Sequence, residues 1–134
     1  MRYIVNALFI REGRVLLARR SPQRKAYATM WSFPGGHVER NETLADALVR
    51  ELREEVGVVP TTFASLGSIS DPNANATDAA TYYMYSVTAW EGGEPALIGS
   101  EHTALAWFTF KAAVALPDLA LEEYRTLFEK IAVN

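Results

Sequence analysis

The chain has 134 residues, 49% hydrophobic and 22% charged, enough for one apolar core and too few for a second, so a single domain over 1–134 is expected. The absence of cysteine excludes a disulfide framework, a thiolate metal site and a cysteine nucleophile. A net charge of −3 argues against stable nucleic-acid binding. No apolar run reaches the roughly 18 residues that cross a bilayer, so no membrane partner and a cytoplasmic location are expected.

Ile4–Ile10 is apolar and rich in strand formers, Arg11-Glu12-Gly13 is a turn signal, and Val15–Ala18 resumes the run, which predicts a β-hairpin. Ser21–Met30 reads as a loop. Trp31-Ser32-Phe33 reads as a short strand that ends at Pro34-Gly35-Gly36, where the glycines mark a sharp turn or a close backbone approach. From Thr43 to Val56 the period becomes helical, with Ala45, Leu48, Val49, Leu52 and Val56 on one stripe, Thr43 as N-cap and Gly57 as a left-handed C-cap. Phe63–Ser70 and Thr81–Trp90 are predicted strands around a long loop, Asp71–Asp78. Leu105–Phe110 gives a last strand, and Asp118–Val133 a closing helix with Leu121, Tyr124, Leu127, Phe128 and Ile131 on one face.

Charge is graded along the chain. Residues 1–35 carry seven basic residues and one acid, 36–58 carry three and six, and 59–134 carry three and nine. Two readings are open: chance scatter, or a basic wall containing Arg19, Arg20, Arg24 and Lys25 that faces an acidic site.

The chemistry concentrates in 36–58. On a helix Glu51, Glu54 and Glu55 fall on one side by their i, i+3, i+4 relation, and like charges there repel. An isolated triplet of this kind is usually a solvated face. Otherwise a hard divalent cation such as Mg²⁺ or Mn²⁺ suits an all-oxygen set far better than Zn²⁺ does.

The triplet is not isolated, and its surroundings match a known signature. Gly36, Glu42, Arg50, Glu51, Leu52, Glu54, Glu55, Gly57 and Val58 stand in the order Gly-x5-Glu-x7-Arg-Glu-aliphatic-x-Glu-Glu-x-Gly-aliphatic, which resembles the signature box of the Nudix hydrolases at every specified position. A random chain of this length would match on the order of once in 10⁸. The likeness extends to Trp31–Gly35 and Trp107-Phe108, and so over most of the chain.

The resemblance implies an α/β fold, the Nudix α/β/α sandwich with a mixed curved sheet between helices. It implies Mg²⁺, or alternatively Mn²⁺, held by Glu51, Glu54, Glu55 and the Gly35 carbonyl, and water attack on the phosphorus of a diphosphate. Glu54 and Glu101 are the candidates for the base, Glu101 alternatively as a further metal ligand, and Glu42 and Arg50 match box positions that hold the loop and helix in shape, with a catalytic part for Arg50 as the alternative. Arg19, Arg20 and Arg24 are candidate phosphate binders, with ordinary surface charge as the alternative. Glu101 has the alternative of an exposed loop acid, His102 reads as surface, and His37 as a turn residue. Tyr27, Trp31, Tyr83 and Tyr85 stand open between stacking a base and packing in strands. The expected partner is a small nucleotide: a nucleoside triphosphate or its oxidised form, with ADP-ribose or another nucleotide sugar as the alternative. A non-catalytic nucleotide or sugar sensor is the competing function, and a homodimer the expected assembly for a chain of this size.

Overall fold

The computed structural model describes residues 2–71 and 79–133; the predicted 71–78 loop therefore lies outside the described residues from 72 onward. The opening hairpin forms as predicted and is longer, with β1 at Arg2–Arg11 and β2 at Arg14–Arg20. β3 (Trp31–Ser32), β4 (Gly35–His37), α1 (Leu44–Val56), β5 (Val59–Ser70), β6 (Ala80–Glu91), β7 (His102–Thr109), α2 (Phe110–Val114) and α3 (Glu123–Val133) follow.

The sheet is mixed. β1 runs parallel to β6 along one whole edge, from Arg2↔Ala80 to Phe9↔Val87, and β6 pairs antiparallel with β5. On its other edge β1 meets β2 only at the hairpin end, Ile10↔Val15 and Arg11↔Arg14, and then pairs with β4 at Ile4↔His37 and Asn6↔Gly35. β2 turns away to β3 and, on its far edge, to β7. The hairpin therefore splays, and the gap between its arms becomes a cleft.

Side chains of β1 and β2 alternate between two cores, as the period of two requires. Val5, Ala7, Phe9 and Leu16 pack under α1 with Ala47, Leu48, Leu52, Val56 and Val87. Leu8, Val15 and Leu17 pack on the other face with Phe33, Met84, Tyr124 and Phe128. Helices thus cover both faces, the α/β/α arrangement that the resemblance implied.

Several local expectations change. The short strand does end before Pro34, but Gly35-Gly36 opens a further strand, β4, in which a side chain at Gly35 would put its Cβ 1.9 Å from the Val5 carbonyl oxygen, so the close approach is to β1. On α1, Ala45 is exposed while Ala47 is buried, because the helix turns Glu51 and Glu55 toward the covered side. The closing helix starts at Glu123 instead of Asp118: the Trp31 N–H donates to the Asp118 carbonyl and the Trp31 carbonyl accepts from Ala120, which holds 118–120 in a bridge beside Trp31. Phe110 leaves the strand and starts α2, capped by the Thr109 hydroxyl, which accepts from the Ala112 N–H. No described helix is long and apolar enough to cross a membrane.

Candidate active site

α1 is fixed at both ends. The Thr43 hydroxyl accepts from the Asp46 N–H, and Gly57 takes φ 73°. Carbonyls at its C-terminus, which lack partners inside the helix, accept from outside: Glu55 from the Ile98 N–H at 2.9 Å and Val56 from Ala96 at 3.2 Å. These bonds tie the segment that leads to Glu101 onto the end of the helix that carries Glu55.

Arg50 organises the acids at the other end. Its guanidinium donates to both oxygens of Glu42, at 2.7 and 2.9 Å, to the His37 carbonyl at 2.9 Å, to Glu51 at 2.9 Å and to Glu54 at 3.3 Å. Glu39 lies 3.6 Å away on the exposed side. The hydrogen bond from Arg50, aided by one from the Glu39 N–H, pulls the Glu42 carboxyl down to about 2. Glu42 and Arg50 therefore form the brace between the box loop and α1.

Glu51 and Glu55 are buried, 9% and 8% exposed, whereas the Glu54 side chain is 59% exposed. Burial raises Glu51 in spite of Arg50, and raises Glu55 to about 7, with Glu101 and Glu51 adding repulsion. Two glycines make room for these carboxylates. A Cβ on Gly36 would lie 2.3 Å from Glu51 Oε2, and one on Gly99 2.4 Å from Glu55 Oε1.

Glu101 comes to the same place from the other side of the cleft, with its oxygen, one from Glu55 and one His102 nitrogen all within 4.8 Å of each other. Arg24 pairs with Glu101 at 3.3 Å. Among the described residues Glu55 Oε2 and His102 Nε2 are buried without a hydrogen-bond partner. Buried, mutually repelling acids with an unsatisfied oxygen fit a divalent cation, which would remove the repulsion and satisfy the orphaned atom.

The splay between β1 and β2 supplies the adjoining cleft. Asn6, Arg20, Arg24, Ser32, Gly35, His37, Glu101 and His102 are among its lining, with Tyr27, Tyr82 and Tyr124. Arg20 donates to the Ala26 carbonyl, and burial together with Arg24 lowers its pKa. Tyr27 donates to Asp71 at 2.7 Å and Tyr82 reaches the same carboxylate at 3.4 Å. Arg19 is not in the cleft lining: it donates to the Thr29 carbonyl, pairs with Asp118 at 3.4 Å and covers the Trp31 ring. Of the four aromatics singled out in the sequence, Tyr27 lines the cleft, whereas Trp31 belongs to a core and Tyr83 and Tyr85 pack against the α1 core.

His102 corrects a sequence expectation. It is 6% exposed and buried beside Glu55, and burial, with Arg20 and Arg24 adding to it, pushes its imidazole down to about 4. Alternation along β7 does not reveal it, because the ladder slips between Arg19↔Ala104 and Arg20↔His102. The buried cleft groups Asn6 and Ser32 carried no sequence signal beyond their place in apolar strands.

Comparison with known proteins places this geometry. The NUDIX domain model matches residues 2–130. The chain is 34% identical over 116 residues to a CTP pyrophosphohydrolase of Escherichia coli, covering 85% of this chain and 80% of that protein. It is 32% identical over 81 residues to an 8-oxo-dGTP diphosphatase of Proteus vulgaris, covering 60% and 70%. A MutT NUDIX hydrolase from Burkholderia pseudomallei superposes with a TM-score of 0.83 at 29% identity over 97% of both chains. Matched along almost its whole length, and with every box residue in place, the chain belongs to the NUDIX domain family and is a pyrophosphohydrolase, an enzyme acting on acid anhydrides.

Proposed function

We propose that the protein hydrolyses nucleoside 5′-triphosphates, ordinary or oxidised, to the monophosphate and pyrophosphate with a divalent cation, Mg²⁺ or Mn²⁺. The observation that carries this reading is the buried Glu55 carboxylate, whose Oε2 has no hydrogen-bond partner among the described residues, set among Glu51, Glu101 and an arginine-lined cleft. The relatives that act on CTP and 8-oxo-dGTP support the nucleotide class.

Glu51, Glu55 and Glu101, together with the carbonyl of Gly35, which also lines the cleft, are the groups that would hold the cation. When bound, it neutralises the diphosphate and lowers the pKa of a water. Arg20 and Arg24 supply positive charge from the cleft wall to the phosphate oxygens. Arg19 is engaged elsewhere and is left out of this role. With the other acids occupied as ligands, the exposed Glu54 accepts the proton from the attacking water, and Arg50 positions Glu51 and Glu54.

The test is kcat/KM across nucleoside triphosphates, 8-oxo-dGTP, ADP-ribose and a nucleotide sugar, for wild type and Glu54→Gln. A triphosphate is expected to lead, and Glu54→Gln to lose about 10²-fold in kcat with little change in KM. Preference for ADP-ribose would overturn the substrate, and a loss under about tenfold would remove Glu54 as the base.

A further inference from the structure

The carboxylates account for an all-oxygen cation site, yet they leave a buried imidazole unexplained. His102 lines the cleft at 6% exposure, and its Nδ1 lies 3.9 Å from Glu55 Oε2, beyond hydrogen-bond reach. Among the described residues Glu55 Oε2 is buried with no hydrogen-bond partner, and so is the ring's other nitrogen, Nε2. An imidazole that served only to hydrogen-bond Glu55 would stand about 1 Å closer. One that served only as core would sit among apolar groups, whereas His102 faces Glu55 and Glu101 and has Arg20 and Arg24 near it.

The spacing suits another task. Two donors on one ion, each about 2.0–2.2 Å from it, lie about 3 to 4 Å apart. The 3.9 Å between Glu55 Oε2 and His102 Nδ1 falls at the upper end of that range, and a Glu101 oxygen stands beside them, the three ligand atoms lying within 4.8 Å of one another before any ion draws them in. The segment is held there from both sides: Ile98 binds the end of α1, and the Glu101 carbonyl accepts from the Ser21 N–H at 2.9 Å.

We infer that His102 supplies a nitrogen ligand, so that Glu55, Glu101 and His102 form a mixed oxygen–nitrogen subsite selective for first-row transition ions such as Mn²⁺ and Co²⁺ over Mg²⁺. Imidazole adds affinity along that series, whereas Mg²⁺ keeps to oxygen. The inference rests on the cation reading of the same site and adds the ligand type and the class of ion.

The direct test is pulsed EPR of the wild-type chain loaded with Mn²⁺. A ¹⁴N coupling from one imidazole is expected, changed to ¹⁵N on histidine labelling, retained in His37→Gln and lost in His102→Gln; His37 is the other histidine of the chain. Calorimetry supplies a second readout: His102→Gln is expected to weaken Co²⁺ by about tenfold or more and Mg²⁺ by less than about threefold. Bound Mn²⁺, lost in Glu55→Gln but without nitrogen coupling in wild type, would overturn the His102 assignment and leave the cation reading standing. Failure of Mn²⁺ to bind wild type would overturn both.

Discussion

Arg50 joins three carboxylates and one carbonyl, and only a planar guanidinium offers that many donors in fixed directions. Lysine keeps the charge but loses the fork to Glu42. Arg50→Lys is therefore expected to lower Tm by several degrees and to reduce kcat, with Arg50→Ala worse on both counts. Glu42 tests the same brace by pH. Its folded carboxyl titrates at about 2, below its ordinary 4.5, so its contribution is fully present above about pH 4.5 and is lost as pH falls toward 2. Urea unfolding should show wild type more stable than Glu42→Gln at pH 6, with the gap closing by pH 2. A gap that did not change with pH would mean that the pair does not act through charge.

Both ends of α1 were legible in the sequence, since Thr43 and Gly57 are local signals, and the box spacing named the acids before any contact was known. Which acid would be buried was not legible. The 3.6-residue period places Glu51, Glu54 and Glu55 on one side, but burial depends on what stands opposite, here β4 and the 96–101 segment, both distant in sequence. The same long-range dependence hid His102 and turned 118–120 from helix into a bridge to Trp31. Glycines test this element-level fit. Gly35→Ala would drive a Cβ into the Val5 backbone and should abolish folding or nearly so. Gly99→Ala meets only the tip of Glu55, so it should fold with Tm within a few degrees of wild type while weakening cation affinity by about tenfold. Unchanged affinity would show that the Glu55 carboxylate is not held in place by Gly99.

At the scale of the molecule, the site exists because the β1–β2 hairpin pairs only near its turn. β4 takes the edge of β1 that β2 vacates, and β3 takes the corresponding edge of β2, so the cleft opens between strands that are neighbours in sequence. α1 brings its acids to one side of that opening and the start of β7 brings Glu101 and His102 to the other. The charge gradient along the chain is thereby folded into a contrast across a few ångströms, with Arg20 and Arg24 facing the carboxylates. A dense negative cluster beside fixed cations suits a substrate that arrives as a polyanion paired with a metal ion.

The most direct measurement is ³¹P NMR of a nucleoside triphosphate incubated with the wild-type protein and Mg²⁺, beside a folded Glu55→Gln variant and a chelated control. Monophosphate and pyrophosphate should accumulate with wild type alone, and chelation should stop them. Turnover that persists in Glu55→Gln or in the presence of chelator would contradict a cation-dependent site built on that carboxylate.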